Sequence, residues 1–341
     1  ITEAQGFSLF SLKVLAQNGS TKATVELLNM AADGHRDAKA LVKRLGLQPV
    51  HSPPSLARKV TQPMKDMQNK FPIQWSMTLD QWNDFIDACK DSDLYREIRN
   101  SKKPWEQFVN LYDINEYGVK PWTRGTGCGI ALLMNPSGRK ADVMFSHAWG
   151  EDIEECQEAV NSKGLPGSTS VWLCAFALYQ PGDSEGPTIG EQLDLNPFTK
   201  VIKSDSIKCM IAIHTTRAEL YERLWCVREV DQALWEGVKV EAAISKEYMA
   251  EARKHYLAVI EAGGTPEEGM KAAGFTVDTL RAKCRDDDRT MLLEELLSRK
   301  GCFDRIDKKV TEFRLRVMKD VVDASRGDDN ELLRAESAPA G

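Results

Sequence analysis

Between about Lys140 and Ile244, short apolar runs alternate with helical stretches, and this alternation limits the chain to few folds. Ala141–Ser146, Ser170–Leu178, Ile207–Ile213 and Val238–Ile244 have the length and apolar character of buried strands. Asp152–Val160 and Arg217–Trp235 read as helices between them. Such alternation implies parallel strands joined by crossovers, hence an open α/β sheet flanked by helices. Ligands gather beyond the C-terminal strand ends of such sheets. The loop after Ser146 is therefore the first place to look for chemistry.

The flanks read differently. Thr21–Met30 and His35–Leu45 are rich in helix formers, with Gly34 and Gly46 as punctuation. The paired prolines Pro53 and Pro54 make the stretch near 48–54 a linker or extended arm. After Ser76, Leu79, Trp82, Phe85, Ile86 and Cys89 follow a helical period, and Thr78 with Gln81 has capping-box spacing. Trp105, Phe108 and Leu111 suggest a second buried face. Gly125, Gly127 and Gly129 lead into the apolar run Ile130–Met134, read as a strand or connecting arm. Those glycines lack the Gly-Lys-Ser/Thr ending of a P-loop. Beyond Ile244, Glu247–Ala262, Met291–Leu297 and Phe303–Val322 read as helices, the last with Ile306, Val310, Phe313, Val317 and Val321 on one stripe. The expected organisation is a mostly helical region 1–139, an α/β domain 140–245, a helical extension 246–324 packing on the core, and a flexible tail 325–341.

Composition excludes several classes. A formal net charge of -6 gives no general attraction to a phosphate backbone, so nucleic acid is not an expected partner. The 42% hydrophobic and 28% charged content suits a soluble globular protein. No apolar run is long enough for a membrane span. The 8 cysteines form no CxxC pair, so no metal site is expected, and mostly free thiols point to the cytoplasm or another reducing compartment. A targeting segment removed ahead of Ile1 would leave no trace.

Two stretches carry candidate chemistry. In Asp142–Asp152 an apolar strand passes into a loop holding Ser146, His147 and Trp149. His147 can donate, accept or titrate near neutrality, or simply order the loop through hydrogen bonds. In Tyr221–Val230, Trp225 and Glu229 are four residues apart and share a helical side. A carboxylate beside an apolar ring can have a raised pKa, or can face a cationic sugar-like transition state. By themselves Trp225 also fits a core position and Glu229 a salt bridge.

The order of these landmarks resembles the TIR family. Asp142-Val143-Met144-Phe145-Ser146-His147-Ala148 resembles its first strand and loop, Asp-Val-Phe-Ile-Ser-His-Ala. Val171–Cys174 is similar to its second strand, Gly182–Leu193 to a lengthened loop and next helix, and Cys209–Thr215 to its third strand. Leu224-Trp225-Cys226-Val227-Arg228-Glu229-Val230 resembles its Ser-x-Trp-Cys-x-x-Glu-Leu helix. The resemblance implies a flavodoxin-like five-stranded parallel sheet, with Gly274–Val277 as a place for the fifth strand to begin. Some TIR domains hydrolyse the nicotinamide–ribose bond of NAD, and this helix's glutamate is essential in them.

Carried over, the resemblance makes Glu229 the catalytic residue of an NAD+ nucleosidase acting in signalling. Phe145, Ser146, His147, Trp149 and Trp225 would line the pocket. NAD would be substrate, with no cofactor required. It also implies self-association through the 140–245 domain, with activity rising on assembly because the Tyr179–Leu193 lid is expected to be mobile or separately held. The alternative is a non-catalytic module that binds a protein partner. Cys174, where many TIR domains are acidic, and the long Gln180–Val201 stretch favour that alternative.

Overall fold

The computed structural model describes residues 8–48, 56, 59–273, 277–284, 286–298, 303–317 and 319. Most of the expected linker near 48–54, most of the Gly274–Val277 strand and the tail from 325 lie outside the described residues. The sheet has five strands: β1 (Met77–Thr78), β2 (Val143–Ser146), β3 (Ser170–Trp172), β4 (Cys209–His214) and β5 (Lys239–Ile244). Their order is β1-β3-β2-β4-β5. The sheet is mostly parallel and flanked by helices. β2 runs parallel to β3, with Val143 opposite Val171 and Met144 opposite Trp172. β1 is antiparallel to β3, pairing Met77 with Val171 and Thr78 with Ser170. The fifth strand thus comes from the N-terminal region. Without β1, the strands run 2-1-3-4 in chain order.

By packing, the chain forms two compact units. The first comprises Ile1–Phe145, Asp152–Gln157 and Leu165–Cys209. Its N-terminal helices, Leu9–Gln17, Thr21–Ala32 and Arg36–Leu45, share a small core of Leu12, Ala16, Ala23, Leu27 and Leu41. The Leu79–Lys90 helix starts at the expected capping box: Gln81 N donates to Thr78 Oγ1 (3.1 Å) and Thr78 N to Gln81 Oε1 (2.9 Å). It buries Trp82 edge-on to Phe145 and Phe85 edge-on to Phe176, with ring centroids 6.0 and 5.0 Å apart. Removing the cap with Thr78→Ala should cost about 1 kcal/mol in denaturant unfolding. A change indistinguishable from zero would show that tertiary packing alone sets the helix start.

Three expectations about local structure fail in this unit. Trp105 is 66% exposed, not core. Pro104–Glu106 makes only a 3₁₀ turn, so no helical stripe carries Trp105 towards Leu111, whose helix begins anew at the Asn110 cap. The Ser170–Leu178 strand stops at Trp172, and Cys174–Ala177 forms a short buried helix. Ile130–Met134 is likewise a helix, with all five residues buried. A short, wholly apolar run has no amphipathic period, so it does not distinguish a strand from a buried helix.

The second unit comprises Ser146–Glu151, Glu158–Gly164 and Met210–Gly341. It contains β5, nearly all of β4, the Leu224–Trp235 helix, and the C-terminal helices Lys246–Glu261, Asp286–Leu297 and 303–317. Lys163 and Lys239 flank Glu241 of β5 at 2.9 and 2.7 Å. No described helix is long and apolar enough to cross a membrane. The described cysteines are free thiols, most of them buried.

Candidate functional site

Ser146, His147 and Arg228, the side chains that act on Glu229, belong with it to the second unit. β2 delivers Ser146 at its C-terminal end, and Glu151 N donates to Ala148 O (3.0 Å) to close the turn that follows. Strand alternation sends neighbouring side chains to opposite faces. Phe145, one residue earlier, accordingly packs against Trp82 in the first unit's core. Ser146 is fully buried; its hydroxyl faces the Glu229 carboxylate but reaches no hydrogen-bond geometry. Thr215, immediately after β4, has a second buried hydroxyl without a hydrogen-bond partner.

His147 and Glu151 form a buried pair, Nδ1 to Oε1 at 3.1 Å. With Glu151 ionised its carboxylate can only accept, and the bond then places a proton on His147 Nδ1. The backbone carbonyl of His147 accepts from the Cys226 thiol at 3.3 Å. That contact ties the loop after β2 to the first turn of the Leu224–Trp235 helix.

That helix carries Arg228, Glu229, Asp231 and Gln232 as buried polar residues. Its N-terminus has no side-chain cap; Leu224 N instead donates to Lys283 O (3.0 Å). Glu229 is 5% exposed. Burial pushes its pKa up to about 7, against opposing pulls from the Ser146 hydroxyl, the His147 imidazole and the Arg228 guanidinium. Arg228 forms its ion pair with Glu295, Nη2 to Oε1 at 2.9 Å, with Nε also donating to Glu295. Burial thus favours the neutral form of Glu229, which sits beside a hydroxyl and an imidazole. Such a group can hold sugar hydroxyls, accept a proton from water, or stabilise a nearby developing positive charge.

Trp225 and Glu229 have different surroundings. Trp225 is half-buried and its Nε1 donates to Asp288 Oδ2 (3.1 Å) of the Asp286–Leu297 helix. Trp149 is half-buried in the loop after β2. Glu151 and Thr215 were not singled out by the sequence. The four-residue spacing of His147 and Glu151 was the available signal for the first; nothing in the sequence marked the second.

The Tyr179–Leu193 segment lies in the first unit and is separately held. Gln192 Oε1 accepts from Tyr179 N (2.8 Å), and Gln192 Nε2 donates to the carbonyls of Tyr179, Pro187 and Thr188. Tyr179 donates its hydroxyl to Asp183, and Gly125 N donates to the same carboxylate. Gly127, at φ 69°, lets the backbone pass Glu185, since a Cβ there would sit 2.4 Å from its carbonyl oxygen. A loop pinned this way does not need a second copy to order it.

Two surface cavities, of about 360 and 460 Å³, also lie in the first unit. The smaller is lined by Leu12, Leu15, Lys22, Glu26 and Glu97, the larger by Ser184, Glu185 and Glu191. Neither is lined by a residue of the Glu229 cluster. Among the described residues no group of three or more His, Cys, Asp or Glu side chains is placed to hold a metal ion. Comparison with protein-family models, with curated proteins and with solved structures returned no match.

Proposed function

We propose that this chain is a TIR-like protein that cleaves the nicotinamide–ribose bond of NAD, with Glu229 as its essential carboxylate. The observation that carries the reading is Glu229 itself: buried, pushed up to about 7, and set beside Ser146 and His147 where β2 ends. NAD's glycosidic nitrogen is already cationic. The C1′–N bond breaks with its electron pair going to the pyridinium ring, so nicotinamide leaves neutral without a proton donor. Positive charge then develops on the ribose, and one carboxylate can stabilise it. Water adds at C1′ and yields its proton to Glu229. Ser146 and His147 would face the ribose, and Trp149 would stack on the flat ring.

The test is incubation of the full chain with NAD, with nicotinamide release followed by chromatography. Glu229→Gln should lower the rate on the order of a hundredfold or more. Because the reactive form is ionised, turnover should fall about tenfold per pH unit below pH 7 and level off above it. Turnover unchanged in Glu229→Gln would remove the role. An inert parent chain at pH 8 would favour the second reading, a non-catalytic assembly module. That reading has its own observation, since a carboxylate only 5% exposed admits NAD only if the surrounding loops move.

A further inference from the structure

Glu151 has no part in the chemistry proposed above, yet it is among the most deeply buried carboxyl groups of the chain. A buried acid needs a reason, because removing a carboxylate from water is costly unless a donor or cation meets it. One partner here is His147, with side-chain exposures of 1% for the histidine and 0% for the glutamate. The imidazole in turn lies where its charged form pulls the Glu229 pKa down. Three ionisable groups thus form a chain from Glu151 through His147 to Glu229, with the Ser146 hydroxyl and the Arg228 guanidinium as the other groups facing Glu229. Arg228 is engaged by Glu295, which leaves His147 as the adjustable member.

We infer that Glu151 is a positioning residue: by accepting from His147 Nδ1 it fixes the ring's orientation and favours its charged form, and so sets the electrostatic field at Glu229. The inference rests on the proposed role of Glu229 for its functional meaning, but its test needs no turnover. With Glu151 neutral, imidazolium loses the counter-charge at Nδ1 and forms at lower pH. Glu229 then faces a neutral ring and ionises at higher pH. The two midpoints therefore move in opposite directions, which a purely structural role for Glu151 would not produce.

The experiment uses the full chain labelled for histidine nitrogen and glutamate carboxyl NMR, with His147 assigned by its loss in His147→Asn. In Glu151→Gln the His147 midpoint should fall by about one pH unit and the Glu229 carboxyl midpoint should rise. Glu151→Asp, which restores the charge, should recover most of both shifts. Unchanged His147 titration and tautomer in folded Glu151→Gln would overturn the inference. Should that variant fail to fold, His147→Asn decides: its Glu229 midpoint must rise, and an unmoved midpoint overturns the inference equally. A parent chain inert towards NAD would sink the proposed function and leave these titrations standing.

Discussion

Glu229→Gln should make the protein more stable than the parent at pH 8, by about 3 kcal/mol. The folded-state pKa of Glu229 is raised from 4.5 to about 7. Below pH 4.5 the carboxyl is protonated in folded and unfolded chains alike, and it costs nothing. Between pH 4.5 and 7 only the unfolded chain releases the proton, so stability falls by about 1.4 kcal/mol per pH unit. Above pH 7 the folded group ionises too and the penalty stays constant. Glutamine has the same shape and no charge to desolvate. Urea unfolding of both proteins at pH 4 and pH 8 reads the difference: near zero at the lower pH, largest at the higher. A Glu229→Gln chain less stable than the parent at pH 8 would mean that the carboxylate is well solvated or paired, and the pKa argument would fail. Stability gained while turnover is lost is the signature of a residue held for function.

The sequence made most strand positions legible because they depend on local pattern, whereas Glu229 stood out only through the resemblance of its helix. β2, β4 and β5 are apolar runs bounded by polar turns, and their positions agree with expectation to within two residues. Glu229 is buried on the same helix as Leu224, Val227 and Val230, where the sequence alone left a salt bridge equally open. What stayed hidden depends on distant contacts. β1 is two residues long and exists only because β3 offers Met77 and Thr78 an edge. The helices Ile130–Met134 and Cys174–Ala177 lie in wholly apolar runs, where periodicity has nothing to act on. The buried polar residues Arg228 and Asp231 look like a solvated helix face in the sequence. Their partners, Glu295 and Arg305, lie more than sixty residues further along the chain.

Arg314 is the largest such case, and replacing it should cost more stability than losing the Thr78 cap. The sequence placed Val310, Phe313 and Val317 on the buried stripe of the last helix and gave no reason to bury an arginine beside them. Arg314 is nevertheless 1% exposed. Its guanidinium lies 2.9 Å from Glu219 Oε2, donates to the Tyr248 hydroxyl (3.3 Å) and sits over the Tyr221 ring at 4.5 Å. Tyr221 also donates to His214 Nε2 (3.2 Å), because His214 Nδ1 must give its proton to the Ala212 carbonyl (3.0 Å). Burial, reinforced by the nearby Arg314 charge, pushes His214 down to about 3, so it stays neutral at physiological pH. One cation thus joins the segment before the Glu229 helix, the Lys246–Glu261 helix and the end of β4. Arg314→Ala leaves a cavity, takes the cation away from Glu219 and removes the stacking partner of Tyr221. The expected loss is about 3–5 kcal/mol. Arg314→Lys keeps the charge but not the planar fork that reaches carboxylate, hydroxyl and ring together, so it should recover only part of that loss. Glu219→Ala combined with Arg314→Ala should cost less than the sum of the two, since each alone leaves its partner uncompensated. Denaturant unfolding of the four variants measures the coupling. A loss below about 1 kcal/mol for Arg314→Ala, or strict additivity in the double variant, would show that the cluster is well solvated and that apolar packing alone holds the last helix in place.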